Sequence, residues 1–242
     1  MTQGRRYVIT GGTSGIGRAC AEHLTAAGAK VWITGTSAAN VTAAVEAGVA
    51  LGGSVCDVRD DADVHAAVLE AVESLGGLDG VFANAGIDGE GKPAAELSTR
   101  NFQQVLDVNT LGAFRVCRAA YSHLTRPGTL VINASVNAQR PEAGFTDYNV
   151  SKAAAVALAK SLALEWSGEG LSVIALCPGY FPSRMTNPYL NDEQTAAELL
   201  KHIPAGRFGD LREAGATVEF LLGPHASFMT GAVVTLDGGR SL

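Results

Sequence analysis

The chain has 242 residues, of which 47% are apolar and 17% charged, with a formal net charge of −6. That apolar content supports a large core and excludes a disordered chain, and the length suits one large α/β unit, so 1–242 reads as a single domain. An acidic balance without a Lys/Arg cluster argues against nucleic acid or an anionic membrane surface as the main partner.

The first strand, predicted over Tyr7–Thr10, follows a start, MTQGRRYVIT, that lacks the apolar region and small-residue cleavage site of a secretory signal. Directly after it comes Thr10-Gly11-Gly12-Thr13-Ser14-Gly15-Ile16-Gly17, opening a helix predicted over Gly15–Ala27. Missing Cβ atoms let main-chain N–H groups approach a pyrophosphate, and a helix N-terminus favours its negative charge. Glycines also serve a tight turn for steric reasons alone. The strand-turn-helix setting favours cofactor binding.

The second strand, Lys30–Thr34, ends where an acidic side chain would meet the 2′-hydroxyl of an adenosine ribose. Gly35 takes that place, with Thr36 and Ser37 after it, so a 2′-phosphate is admitted. NADP is therefore favoured, and NAD stays open because no Arg or Lys sits beside these hydroxyls in sequence. After a helix over Ala38–Glu46, the third strand, Ala50–Asp57, ends in Asp57-Val58, where the carboxylate suits an adenine amine or else caps the helix Asp60–Leu75.

The fourth strand, Gly80–Ala83, ends in Asn84-Ala85-Gly86, small residues at a carboxyl end, where ligands bind in open α/β sheets. One long helix is predicted over Arg100–Leu124, and the fifth strand, Thr129–Ala134, runs into Ser135. The next helix, Tyr148–Ser167, begins Tyr148-Asn149-Val150-Ser151-Lys152. Spacing of i, i+4 puts phenol and ammonium on one helical face, with Cβ atoms about 5–6 Å apart. A tyrosine with pKa near ~10 is a poor base at neutral pH; lowering it by about three units takes ~4 kcal/mol, which one cation at ~4 Å supplies at an effective dielectric of ~20.

The sixth strand, Ser172–Cys177, leads into a segment rich in Pro and Gly that ends near Asn191, and a long loop in a compact domain is usually functional. About 180–210 is predicted to be a substrate lid carrying Phe181, Arg184, Met185 and Tyr189. Arg140 or Arg184 would hold a substrate anion, or else be a solvated surface arginine. Helices over Asp192–His202 and Leu211–Leu222 and a strand over Ala232–Leu236 close the chain. This alternation of strands with Ala-rich helices predicts an α/β doubly wound sheet of about seven parallel strands with helices on both faces. Cys20, Cys56, Cys117 and Cys177, far apart and without metal-ligand spacing, read as core thiols, and no uncharged apolar run approaches the ~20 residues of a membrane span. The chain reads as cytoplasmic, with no metal and no membrane partner.

Taken together, Thr10–Gly17, Asn84-Ala85-Gly86, Asn109, Ser135, Tyr148-x-x-x-Lys152 and Pro178-Gly179 resemble the short-chain dehydrogenase/reductase family in its NAD(P)-binding Rossmann form. The resemblance extends to Gly206-Arg207-Phe208-Gly209 and Leu236-Asp237-Gly238-Gly239. It implies hydride transfer between a nicotinamide cofactor and a secondary alcohol or ketone. By that likeness Tyr148 is the general acid/base, Lys152 lowers its pKa and holds the ribose, Ser135 bonds the substrate oxygen, and Asn109 anchors a water relay to Lys152. Unaided by the likeness, Asn109 reads as an exposed mid-helix residue. The cofactor would rest on Gly11, Thr13, Ser14, Gly15, Ile16, Gly17, Thr36, Ser37, Asp57, Val58, Asn84, Ala85, Gly86, Tyr148 and Lys152. Pro178, Gly179, Phe181 and Ser183 would line the nicotinamide.

Four features depart from the family pattern. Ser14 and Thr36 stand where NADP-using relatives often carry Arg or Lys, and Phe82-Ala83-Asn84 replaces two successive asparagines. Ser183 replaces Thr and keeps the hydroxyl. The family implies a homotetramer, or a homodimer, to which the small-residue run Ala153–Ala157 is suited. Two other readings stay open: a 3-oxoacyl-[acyl-carrier-protein] reductase, and a non-catalytic cofactor-sensing protein on the same fold.

Overall fold

The computed structural model describes residues 2–242. The strands are β1 (Arg6–Thr10), β2 (Lys30–Gly35), β3 (Gly52–Val55), β4 (Leu78–Ala83), β5 (Leu124–Asn133), β6 (Leu171–Pro178) and β7 (Val233–Leu236). All pairings are parallel, in the order β3-β2-β1-β4-β5-β6-β7. The helices are α1 (Gly15–Ala26), α2 (Ala38–Glu46), α3 (Asp61–Leu75), α4 (Thr99–Leu106), α5 (Ala113–Tyr121), α6 (Thr146–Trp166), α7 (Asn187–Leu190), α8 (Glu193–Leu200) and α9 (Leu211–Leu222).

Side chains alternate across each strand, so Val8, Val81, Leu130 and Val173 face one helical layer while Ile9, Phe82, Val131 and Ile174 face the other. On the first face α3, α5 and α6 cover the sheet; on the second, α1 and α9 pack together. Each buried Ile, Leu or Phe contributes about 1.5–3 kcal/mol relative to exposure, so the near-continuous apolar text of the central strands holds the sheet in place. All four cysteines are free and buried in these layers. Strand order reverses between β1 and β4, and the carboxyl ends of those two strands open the crevice at which such sheets take ligands.

Local signals set the ends of the elements. Asp60 caps α3 by accepting from the N–H groups of Ala62 and Asp63, and Gly76, at φ 75°, closes it. Asp210 and Glu213 form a reciprocal capping box on α9.

The stretch predicted as one helix over Arg100–Leu124 is three pieces. A wide π-type turn at Asp107–Gly112 separates α4 from α5. Apolar spacing does not register it, because Val105, Val108, Ala113 and Val116 all stay buried across the insertion. The helix ends at Tyr121, and Leu124 already belongs to β5, pairing with Leu78 ahead of a register shift. Arg126-Pro127-Gly128 reads as a turn in sequence and hides this extension. The third strand is shorter than predicted, leaving Asp57 in the turn beyond it. Among the described residues no helix is long and apolar enough to cross a membrane, and no group of three or more His, Cys, Asp or Glu is placed to hold a metal ion.

Candidate active site

A cleft of about 610 Å³ lies over the carboxyl ends of β1 and β4. Its floor is the glycine-rich turn. Gly11 and Gly15 have φ of 65° and 54°, a left-handed conformation that side chains rarely adopt. A Cβ on Gly11 would lie 3.0 Å from Ala85 Cα, and one on Gly17 would run into the Gly11 carbonyl and the Asn84 amide. Ser14 precedes α1 with no side-chain cap, so the first N–H groups of that helix face the cleft unpaired by it. Asn133 lines the cleft as well, and its Oδ1 has no hydrogen-bond partner among the described residues. Such a cradle fits a dinucleotide.

Of the residues predicted to hold the cofactor, all but Gly17 line this cleft. Gly17 sits behind the wall, where its missing Cβ admits Asn84. Asn84 cross-ties three strands: its Nδ2 donates to the Thr10 carbonyl at 2.9 Å, and its Oδ1 accepts from Asn133 Nδ2 at 2.8 Å. Ser37 lines the cleft while capping α2, accepting from Asn40 N–H at 3.4 Å. Asp57 does not cap α3, which Asp60 does; it is paired with Arg59, whose guanidinium holds its carboxyl below the usual range. Arg59 also lines the cleft, a cation the sequence order does not associate with the cofactor turn. Ser183 Oγ lies 3.0 Å from Thr186 Oγ1.

Asn109 is buried in the π-type turn, not exposed on a helix, and does not line the cleft. Its Oδ1 accepts from Ile87 N–H at 2.8 Å, and its Nδ2 donates to the Ile87 carbonyl and to Ser151 Oγ, both at 3.0 Å. It therefore pins the segment after β4 to α6.

Ser135, Tyr148 and Lys152 all line the cleft. Ser135 lies two residues beyond β5 and caps the short turn that follows, its Oγ accepting from Asn137 N–H at 3.2 Å. Lys152 is buried, 5.6 Å from the centroid of the Tyr148 ring, and its Nζ donates to the Asn133 carbonyl at 2.8 Å. Burial lowers the ammonium to about 8. Burial also pushes the Tyr148 phenol above its ordinary value; the Ser135 hydroxyl opposes this, while the charges of Asp88 and Glu142 add to it. The lowering of the phenol expected from Lys152 is not seen, because desolvation of the phenolate is the largest influence on Tyr148 and acts in the opposite direction.

A second pocket of about 190 Å³ opens from the cleft past Ser135 and Tyr148. The predicted lid contributes Tyr180, Met185, Thr186, Tyr189, Thr195 and Leu199 to its lining. Asp88, Asn137, Glu142 and Phe145 complete one side and were not singled out in the sequence. A lone acid in a loop carries no spacing signal, and only the fold sets Asp88 against Tyr189, 101 residues away. Arg140 is turned from the pocket onto the Arg240 carbonyl, and Arg184 is exposed on the outer cleft.

Known proteins resemble this chain in sequence and fold. Residues 11–241 match the family model described as Enoyl-(Acyl carrier protein) reductase. The 4-formylbenzenesulfonate dehydrogenase of Comamonas testosteroni is 36% identical, with 97% of each chain covered. The crystal structure of levodione reductase superposes with a TM-score of 0.94 at 32% identity, covering 100% of this chain and 99% of that one. A short-chain dehydrogenase from Burkholderia cenocepacia in complex with NADP gives 0.90 at 30% identity, covering 100% and 99%. A 3-ketoacyl-(acyl-carrier-protein) reductase from Brucella melitensis complexed with NADH gives 0.92 at 27% identity, covering 100% of both chains. The chain belongs to the short-chain dehydrogenase/reductase family, and it is an NAD(P)-dependent oxidoreductase of alcohols and ketones.

Proposed function

We propose that the chain interconverts a small secondary alcohol and its ketone with NADP preferred over NAD, Tyr148 handling the proton. One observation carries this reading: Tyr148 and Ser135 line both the dinucleotide-shaped cleft and the adjoining pocket, so the two meet at these side chains. A bound nicotinamide nucleotide supplies or accepts the hydride. In alcohol oxidation Tyr148 takes the hydroxyl proton and Ser135 donates to the developing carbonyl oxygen; in reduction the phenol returns the proton. Lys152 holds the floor of the cleft through Asn133 and, when charged, favours the phenolate. Asn109 supports the wall through Ile87.

The NADP preference rests on Thr36 in the cleft lining and on the absence of a carboxylate at Gly35 to repel a 2′-phosphate; Arg59 lines the same cleft but is ion-paired with Asp57. A homotetramer fits the exposed Leu111, Val150 and Leu164 on and near α6. The carrier-protein reading would want a free basic patch; Arg115, Arg118 and Arg126 are instead paired with Asp107, Asp61 and Glu169. The test is turnover of a panel of alcohols and ketones with NADPH and NADH in parallel. Nucleotide oxidation on a small ketone, faster with NADPH, is expected. Nucleotide binding without turnover of any member would return the protein to the cofactor-sensing class.

A further inference from the structure

The pocket beside Tyr148 is a substrate site on the strength of Tyr148 and Ser135; its remaining lining decides which substrates enter. Its charged members are Asp88 and Glu142, and among the described residues no Lys, Arg or His lines it. Each carboxylate is oriented by a phenol. Tyr189 donates to Asp88 Oδ2 at 2.8 Å, with Gly89 N–H on Oδ1 at 2.9 Å, and Tyr180 donates to Glu142 Oε2 at 2.7 Å. Two cations stand outside this lining: Lys152 is committed to the Asn133 carbonyl, and Arg240 is ion-paired with Glu142, Nη2 3.8 Å from Oε1, which offsets part of that carboxylate's charge and leaves Asp88 the stronger source of negative field. Burial raises the Asp88 carboxyl, the Tyr189 and Gly89 bonds oppose this, and the charges of Asp147 and Glu142 add to the rise, as expected of a negative field. Val136, Phe145, Met185 and Leu199 supply an apolar floor, with the Phe145 ring edge-on to Tyr189 at 6.1 Å.

Fixed acceptors over an apolar floor, in a space well below the ~300 Å³ of drug-sized sites, suit a small ligand that donates hydrogen bonds and carries no negative charge. We propose that this pocket selects small uncharged substrates bearing a hydroxyl besides the reacting one, such as cyclic diols and hydroxyketones. Asp88 and Glu142 are the specificity residues: they accept from the non-reacting hydroxyl and repel carboxylates, sulfonates and phosphates. This rests on the oxidoreductase reading above and names its substrate class.

The test compares matched rings, cyclohexane-1,2-diol against 2-hydroxycyclohexane-1-carboxylate, with the nucleotide-loaded enzyme. Like charges some ~6 Å apart at an effective dielectric near ~20 set the scale, so kcat/KM for the diol is expected to exceed that for the carboxylate by at least ~30-fold. Asp88→Asn and Glu142→Gln should each narrow that ratio, raising KM for the diol and lowering KM for the carboxylate, with kcat moved less than KM. The wild-type ratio and one folded variant suffice to decide. A carboxylate turned over as well as the diol, or a ratio that neither substitution moves, overturns the inference alone. Loaded protein that turns over no alcohol or ketone of any kind overturns the oxidoreductase reading, and the inference with it.

Discussion

Lys152 Nζ donates to the main-chain carbonyl of Asn133 at 2.8 Å, so the ammonium that the helical spacing pairs with Tyr148 is anchored to the end of β5. The lysine is buried, with its pKa lowered from 10.5 to about 8. Between those two values the unfolded chain binds a proton that the folded chain lacks, so this group makes stability rise with pH across that window. Below about pH 8 the folded protein bears the full cost of a buried ammonium, on the order of 3 kcal/mol, and above about pH 10 it bears little. Lys152→Met removes that cost, less about 1 kcal/mol for the lost bond to Asn133. Urea unfolding should show the variant more stable than wild type at pH 7, with the gap closing by pH 10. A gap independent of pH would contradict the burial argument.

Asn109 makes three hydrogen bonds, two part-buried ones to Ile87 and a buried one to Ser151. Asn109→Ala strands both main-chain groups and is expected to cost about 2–4 kcal/mol in urea unfolding. Turnover should fall at least ~tenfold at a temperature where the variant is still folded, because Ile87 and Asp88 lose their tether. Unchanged stability would show that the residue acts on solvent and not on the fold.

Thr36 follows Gly35 in the cleft lining, and Gly35 itself has no room for a carboxylate, since a Cβ there would press to 2.8 Å of Thr13 Cγ2. Thr36→Asp is expected to raise KM for NADPH by at least ~30-fold and to leave KM for NADH within about threefold. Parallel titration with the two nucleotides reads this directly; equal loss with both would place the 2′-position elsewhere.

Much of this site is legible in the sequence because its chemistry sits in contiguous text. The Gly11–Gly17 turn, Asn84-Ala85-Gly86 and Tyr148-x-x-x-Lys152 each follow a strand or open a helix, and periodicity locates both kinds of element. Asn109 shows where that stops: the π-type turn changes which way a residue faces without disturbing the apolar spacing around it. The substrate pocket is less legible still. Asp88, Glu142, Tyr180 and Tyr189 come from four separate segments, and their pairing depends on how the chain after β6 folds back over β4 and α6. The direction of the Tyr148 shift is illegible for a related reason: spacing reports a neighbouring charge but not the desolvation around both groups, and burial raises the phenol.

In the chemistry proposed above, the Tyr148 phenol moves the proton while Ser135 holds the oxygen. Tyr148→Phe deletes one oxygen and keeps the ring that walls both the cleft and the pocket. Single-turnover hydride transfer, followed by nucleotide absorbance beside a nucleotide binding titration on the same sample, measures the claim most directly. The account predicts a fall in rate of at least ~10³-fold with the nucleotide dissociation constant within about threefold of wild type. A Tyr148→Phe protein that transfers hydride within about tenfold of the wild-type rate would contradict it.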